Sequence, residues 1–262
     1  MTPAVAHRAP VDMTPALRSE GLSKSFGRFV ANAGVSLTLA KGSRHALIGP
    51  NGAGKTTLIN LLTGVLSPSA GEIWLDAERV TTTPQHVRVK RGMTRTFQIN
   101  TLFPGLTVLE SVMLAICERR GDGDRWWRGV VAMPAAIDEA MTLLASLQLS
   151  DVAATLTRNL AYGKQRLLEI ALALATRPRV LLLDEPAAGI PAQASAELFA
   201  VIADLPRDVT VLFIEHDMDL VFRFAERITV MVGGKVLTEG TPDEVAADPR
   251  VKEVYLGEPG HA

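Results

Sequence analysis

Hydrophobic positions along this chain follow two periods, and the switches between them mark its elements. Residues 37–39 and 44–48 are short β-rich runs, the second ending at Gly49. Residues 50–54 form a turn. From Lys55 the stretch KTTLINLLTG takes a helical period that stops at Gly64, a residue suited to ending a helix. Residues 71–76 alternate as a strand does, and 95–98 predict another short strand. The middle is different: 108–116, 135–147 and 164–176 carry apolar residues three and four apart, and 118–128 is a charged, glycine-broken connection. Strand–helix alternation then resumes, with apolar runs at 179–183, 209–214 and 227–232 and helices over 192–204 and 217–225. These runs predict an α/β protein with a mainly parallel sheet covered on both faces, and a mostly helical subdomain over about 103–175 inserted into it.

Composition narrows the function classes. With 262 residues, 47% hydrophobic and 21% charged, the chain can bury a sizeable core. Its 27 Lys+Arg against 28 Asp+Glu leave a net charge of -1, so no bulk positive field draws in nucleic acid or anionic lipid. The single cysteine, Cys117, excludes an internal disulfide and a cysteine-based metal cluster, and suits a reducing compartment. No run approaches the roughly 18 apolar residues of a membrane-spanning helix. The first 16 residues, with Arg8, Asp12 and several prolines, read as a loose tail without the apolar stretch of a signal peptide. The expectation is a soluble, cytosolic protein that reaches any membrane through a partner.

The chemistry begins at Gly49-Pro50-Asn51-Gly52-Ala53-Gly54-Lys55-Thr56-Thr57, which fits G-x-x-x-x-G-K-[ST] between a predicted strand and a predicted helix. Glycines let successive backbone N–H groups turn inward as an anion nest, and the helix start adds its positive dipole end. Lys55 is placed to reach the β- and γ-phosphate oxygens of a nucleotide, and the Thr56 hydroxyl to ligate Mg²⁺. A chance glycine turn is the bland alternative, and the flanking elements argue against it.

A second half of the site is VLLLDEP at 180–186, an apolar strand ending in two acids where parallel sheets bind ligands. Asp184 would hold Mg²⁺ through water and Glu185 would polarise the attacking water. Taken alone, the pair could equally cap the following helix. His216 ends the run VLFIEH at 211–216 and would donate to the γ-phosphate or orient the water; taken alone, it reads as a surface hydrogen-bonding group.

Together these stretches resemble the nucleotide-binding subunit of ATP-binding-cassette (ABC) transporters over about residues 17–257, leaving tails at 1–16 and 258–262. The resemblance implies a P-loop NTPase core with an N-terminal antiparallel β region and the inserted helical subdomain. It implies Mg-ATP hydrolysis, with Gly49–Thr57 as Walker A, Asp184 as the Walker B metal carboxylate, Glu185 as the catalytic glutamate and His216 as switch histidine. Gln98, in Thr96-Phe97-Gln98, takes the place of the Q-loop glutamine that senses Mg²⁺ and water. Phe26 is the first candidate to stack on adenine and Phe29 its competitor, and each could instead belong to the core. The family signature corresponds to Leu160-Ala161-Tyr162-Gly163-Lys164, which would close the ATP site of the opposite subunit. Here Ala161 replaces the usual serine and Lys164 the usual glutamine, and Pro191 stands where the D-loop usually has an acid.

The combination HALIGPNGAGKTT, RTFQ, LAYG-x-QR-x-LEIALALA and DEPAAG is similar to the ATPases of branched-chain amino acid importers. That branch implies membrane permeases, a second ATPase subunit and, indirectly, a solute-binding protein, with the chain held peripherally at the cytoplasmic face of the inner membrane. Cassettes for urea or amide import, for lipopolysaccharide-type export, or for soluble non-transport work are the alternatives.

Overall fold

Arg44–Ile48, Val180–Asp184 and Thr210–Ile214 are buried at every position, the mark of strands covered on both faces. The computed structural model describes residues 14–96, 102–121 and 133–256. In chain order its elements are β1 (Leu17–Phe26), β2 (Phe29–Leu39), β3 (Arg44–Ile48), α1 (Lys55–Thr63), β4 (Ala70–Leu75), β5 (Glu78–Arg79), α2 (Gln85–Lys90) and β6 (Met93–Arg95). Three helices follow: α3 (Val108–Arg120), α4 (Pro134–Ser146) and α5 (Tyr162–Ala175). The rest is β7 (Val180–Asp184), α6 (Ala192–Ala203), β8 (Thr210–Ile214), α7 (Met218–Phe224), β9 (Arg227–Val232), β10 (Lys235–Gly240), α8 (Pro242–Ala247) and α9 (Pro249–Leu256).

The six-stranded sheet runs β10-β9-β3-β8-β7-β6, parallel except for β10. An antiparallel four-stranded sheet, β2-β1-β4-β5, forms the N-terminal region. Alternation along the central strands divides the core in two. Leu181, Leu183, Val211 and Phe213 join the layer containing α3 to α7, whereas Leu182, Leu212 and Leu47 join α1 and the antiparallel sheet. β6 and β7 are neighbours in the sheet although α3, α4 and α5 lie between them in the chain.

Local chemistry sets the helix ends. Gly64 closes α1 in the left-handed conformation, as its position in the sequence predicts. Thr107 and Glu110 form a reciprocal capping box that starts α3. The buried Arg44 shows how a charge enters a central strand: its Nη1 donates to Val209 O at 2.7 Å and Gly42 O at 3.1 Å, and its Nη2 donates to Leu205 O. The predicted strand at 95–98 starts two residues earlier, as β6. Thr96 N–H continues the pairing by donating to Leu182 O at 3.0 Å. Among the described residues, no helix is long and apolar enough to cross a membrane.

Candidate functional site

β3 leads into the site from the middle of the sheet, between β8 and β9. Gly49 has φ 151°, and a Cβ there would lie 2.1 Å from Met231 O, so no other residue fits this turn. Gly54 has φ 93°, and its Cβ would lie 2.5 Å from Ala31 O. These glycines bend the chain so that α1 starts at Lys55 with no side-chain cap and no acidic residue in its first turn. Its first N–H groups and its positive dipole end are therefore offered to an anion. A cavity of about 240 Å³ opens there, lined by Asn51 to Thr57, Phe29, Ala31, Glu185 and His216.

Lys55 is buried, with Nζ donating to Gly49 O at 2.5 Å and Pro50 O at 3.1 Å. Burial lowers its pKa below the ordinary lysine value, while the nearby carboxylates of Glu185 and Asp184 act in the opposite sense. Among the described residues its hydrogen bonds run to main-chain carbonyls, which a phosphate oxygen can replace.

The acids come from β7. Asp184 pairs in register with Ile214 of β8, and Glu185 N–H donates to Ile214 O at 3.0 Å. Glu185 adopts φ 50°, a left-handed conformation that a long side chain rarely takes. That turn aims its carboxylate across the mouth of the cleft, where His216 Nε2 lies 2.9 Å from Glu185 Oε1. A carboxylate can only accept, so Nε2 carries the proton. Glu215, absent from the sequence reading, holds this loop: its Oε1 accepts from Ala187 N–H at 2.8 Å and its Oε2 from His216 N–H at 3.2 Å. Burial pushes the Glu215 pKa up, opposed by those two N–H groups.

The donor set suits Mg-ATP. Among the described residues no cluster of three His, Cys, Asp or Glu could cage a metal alone. One hydroxyl and one carboxylate beside a phosphate nest is the sparse protein contribution that Mg²⁺ takes when nucleotide oxygens complete its shell. Thr56 lines the cavity, and Asp184 is buried near enough to the Lys55 ammonium to act on its pKa. Gln98 lies outside the described residues.

Comparison with known proteins bears on the class. A family model described as "ABC transporter" matches residues 33–188. The high-affinity branched-chain amino acid transport ATP-binding proteins BraF of Pseudomonas aeruginosa and LivG of Escherichia coli K12 are each 40% identical over 253 residues, covering 93% of this chain and 98% of theirs. The chain belongs to the ABC transporter family. A second model, "Branched-chain amino acid ATP-binding cassette transporter", matches residues 235–261 of the cassette. The ADP conformation of the ABC cassette MJ1267 superposes with a TM-score of 0.82 at 32% identity, covering 94% of this chain and 100% of that one.

The cassette's remaining sequence candidates fall into place unevenly. Of the two aromatic candidates, Phe29 lines the cleft and Phe26 does not. Phe26 pairs with Phe29 across the β1–β2 turn, and its ring instead lies 5.2 Å from the Lys24 ammonium. The stretch Leu160–Lys164 does not line this cleft and leads into α5, with Ala161 as a cap residue that offers no side-chain bond. Tyr162 OH donates to Ala188 O at 3.2 Å and accepts from Arg166 Nη2 at 2.6 Å, joining the start of α5 to the loop after β7. Lys164 Nζ donates to Gln148 O at 2.5 Å and pairs with Asp151 at 3.1 Å, so its charge is engaged within its own chain. Pro191 precedes α6 at φ -58°, a conformation its ring favours.

Proposed function

We propose that this chain hydrolyses ATP to energise uptake of branched-chain amino acids through a membrane permease. The observation that carries the catalytic part is the Glu185–His216 contact at the mouth of the glycine-lined cleft that holds Lys55. The names of BraF and LivG, and the match of residues 235–261 to the branched-chain model, support the amino acid class.

In this reading the loop Gly49–Thr57 wraps the triphosphate with main-chain N–H groups, and Lys55 turns from the Gly49 and Pro50 carbonyls to the phosphate oxygens. Glu185 orients the attacking water and takes up its proton, while the Nε2–H of His216 holds Glu185 in place and then faces the γ-phosphate. Thr56 and Asp184, with Gln98, would hold Mg²⁺, which when bound would neutralise charge on the phosphoryl oxygens. The purine rests against the β1–β2 turn, with Phe29 at the cleft and Phe26 beside it. A second cassette supplies its own Leu160–Lys164 counterpart over the nucleotide, and the helices α3 to α5 carry closure to permease subunits at the cytoplasmic face of the inner membrane. A solute-binding protein selects the amino acid outside.

Glu185→Gln tests the assignment. ATP binding by calorimetry should stay within about twofold, because the side chain keeps its shape, while turnover falls by about 10²–10⁴, the usual worth of a positioned general base. Undiminished turnover removes Glu185 from this role. Copurification of the chain with a permease pair whose vesicles take up leucine tests the transport half.

A further inference from the structure

Arg95 plays no part in the steps above, yet it contacts Asp184, which does. It ends β6, the edge strand beside β7, and only 11% of its side chain is exposed. Its Nη2 donates to Asp184 Oδ2 at 2.5 Å and its Nη1 donates to Asn60 Oδ1 at 2.7 Å. Asp184 is 3% exposed on its side chain, so the pair is nearly dry. Asn60 sits on α1, one helical turn and a half beyond Lys55. The remaining guanidinium nitrogen, Nε, is buried with no partner among the described residues. The fork thus forgoes one bond to make two, and those two reach the acid strand and the phosphate-loop helix at once.

Burying a guanidinium carries a desolvation penalty that a contact serving stability alone need not repay. The geometry explains its use. A lone carboxylate at a strand end can rotate about its last bond. With Oδ2 held by Arg95, and Arg95 in turn held by Asn60, that rotation is restrained.

We infer that Arg95 is a positioning residue for Mg²⁺: it orients the Asp184 carboxylate and fixes the distance between the end of β7 and α1. The inference rests on the reading of Asp184 as the metal carboxylate and deepens it. Planarity matters, because a lysine ammonium is a point charge that cannot present two divergent donors to two acceptors.

The test uses the full chain and reads metal dependence rather than turnover. ATP binding is followed by calorimetry across a Mg²⁺ series, with EDTA as the zero point. Arg95→Gln should leave binding in EDTA within about twofold and raise the Mg²⁺ concentration for half-maximal enhancement by about tenfold, the scale on which partners of metal ligands act. Arg95→Lys should fall between the two. An unchanged or lowered Mg²⁺ requirement overturns the inference, since a bridge serving stability alone would lower the melting temperature without moving this value. If Arg95→Gln does not fold, Asn60→Ala removes only the second anchor and should raise the Mg²⁺ requirement in the same direction by less; no rise there overturns it equally. Asp184→Asn separates the layers. If it abolishes the Mg²⁺ response while Arg95→Gln leaves that response alone, the Arg95 role fails by itself. If Asp184→Asn leaves the Mg²⁺ response intact, the metal reading of Asp184 fails and takes the Arg95 role with it.

Discussion

Two helices of this chain begin as anion sites begin, and they differ in what stands beside them. Both α1 and α5 start without a side-chain cap and without an acid in the first turn. At α1 the chain supplies everything else: a left-handed glycine at the cap, a buried lysine, and carboxylates from the end of β7. At α5 the cap is Ala161, Lys164 is tied to Asp151, and the aromatic Tyr162 is bonded to Arg166 and to the loop after β7. The same backbone physics therefore yields a self-sufficient nest in one place and a bare helix end in the other. A bare end of this kind gains a ligand only when something else brings one.

The strongest way to break this contrast is to remove the cation of the first site. Lys55→Met should weaken ATP binding by about 10- to 150-fold, the worth of one hydrogen bond to a charged group, with the melting temperature unchanged or raised because a desolvated charge is gone. Lys164→Met in the isolated chain should leave ATP affinity within about twofold, as the fold sets Lys164 against Asp151 rather than against the chain's own nucleotide cleft. Equal losses in the two variants would erase the distinction.

The difference between the two sites also decided what could be read from the sequence. The phosphate nest was legible because its demands are local: glycines at fixed offsets, a lysine, and a helix period that starts after them. The buried runs of β7 and β8 were legible for the same reason, since strands covered on both faces have no alternation to confuse. Arg95, Asn60 and Glu215 were not legible, because each acts through a partner in a different element that only the strand register brings close. The engagement of Lys164 with Gln148 O and Asp151 was hidden likewise, and so was the choice of Phe29 over Phe26 at the cleft. Some omissions lay closer to hand. Thr241-Pro242-Asp243-Glu244 reads as a capping box with proline at the first helical position, and α8 starts there with both reciprocal bonds made. β1 escaped for a physical reason: its run LRSEGLSKSF carries few apolar residues and breaks register at several points against β2, so alternation is blurred.

Glycine substitutions sharpen the contrast further. A Cβ on Gly54 meets Ala31 O at 2.5 Å from a left-handed backbone, whereas a Cβ on Gly163 meets only Ala194 Cβ at 3.8 Å, an ordinary contact. Gly54→Ala should cost about 2–4 kcal/mol in denaturant unfolding, from backbone strain and steric overlap together. Gly163→Ala should leave stability unchanged or raise it by up to about 1 kcal/mol, because alanine is the better helix former. Any loss of turnover in Gly163→Ala then arises between chains, and its dependence on protein concentration would show it. A destabilised Gly163→Ala monomer would mean instead that this glycine serves its own fold.

The smallest expected effect belongs to Lys164 itself. Its ammonium pairs with an Asp151 side chain that is 67% exposed, and pairs of that kind contribute about 0–1 kcal/mol. Lys164→Gln should therefore shift the unfolding free energy by less than about 1 kcal/mol, and it restores the residue usual in the signature. If the charge stays with Asp151 when cassettes associate, turnover at high protein concentration should change by less than about threefold, since little free energy is at stake. Asp151→Asn frees the ammonium without removing it and should be equally mild. A larger loss in Lys164→Gln, absent from Asp151→Asn, would show the ammonium leaving Asp151 to meet a phosphate across the interface. The α5 end would then carry a cation after all, supplied on association rather than built in, and the contrast with α1 would be one of timing.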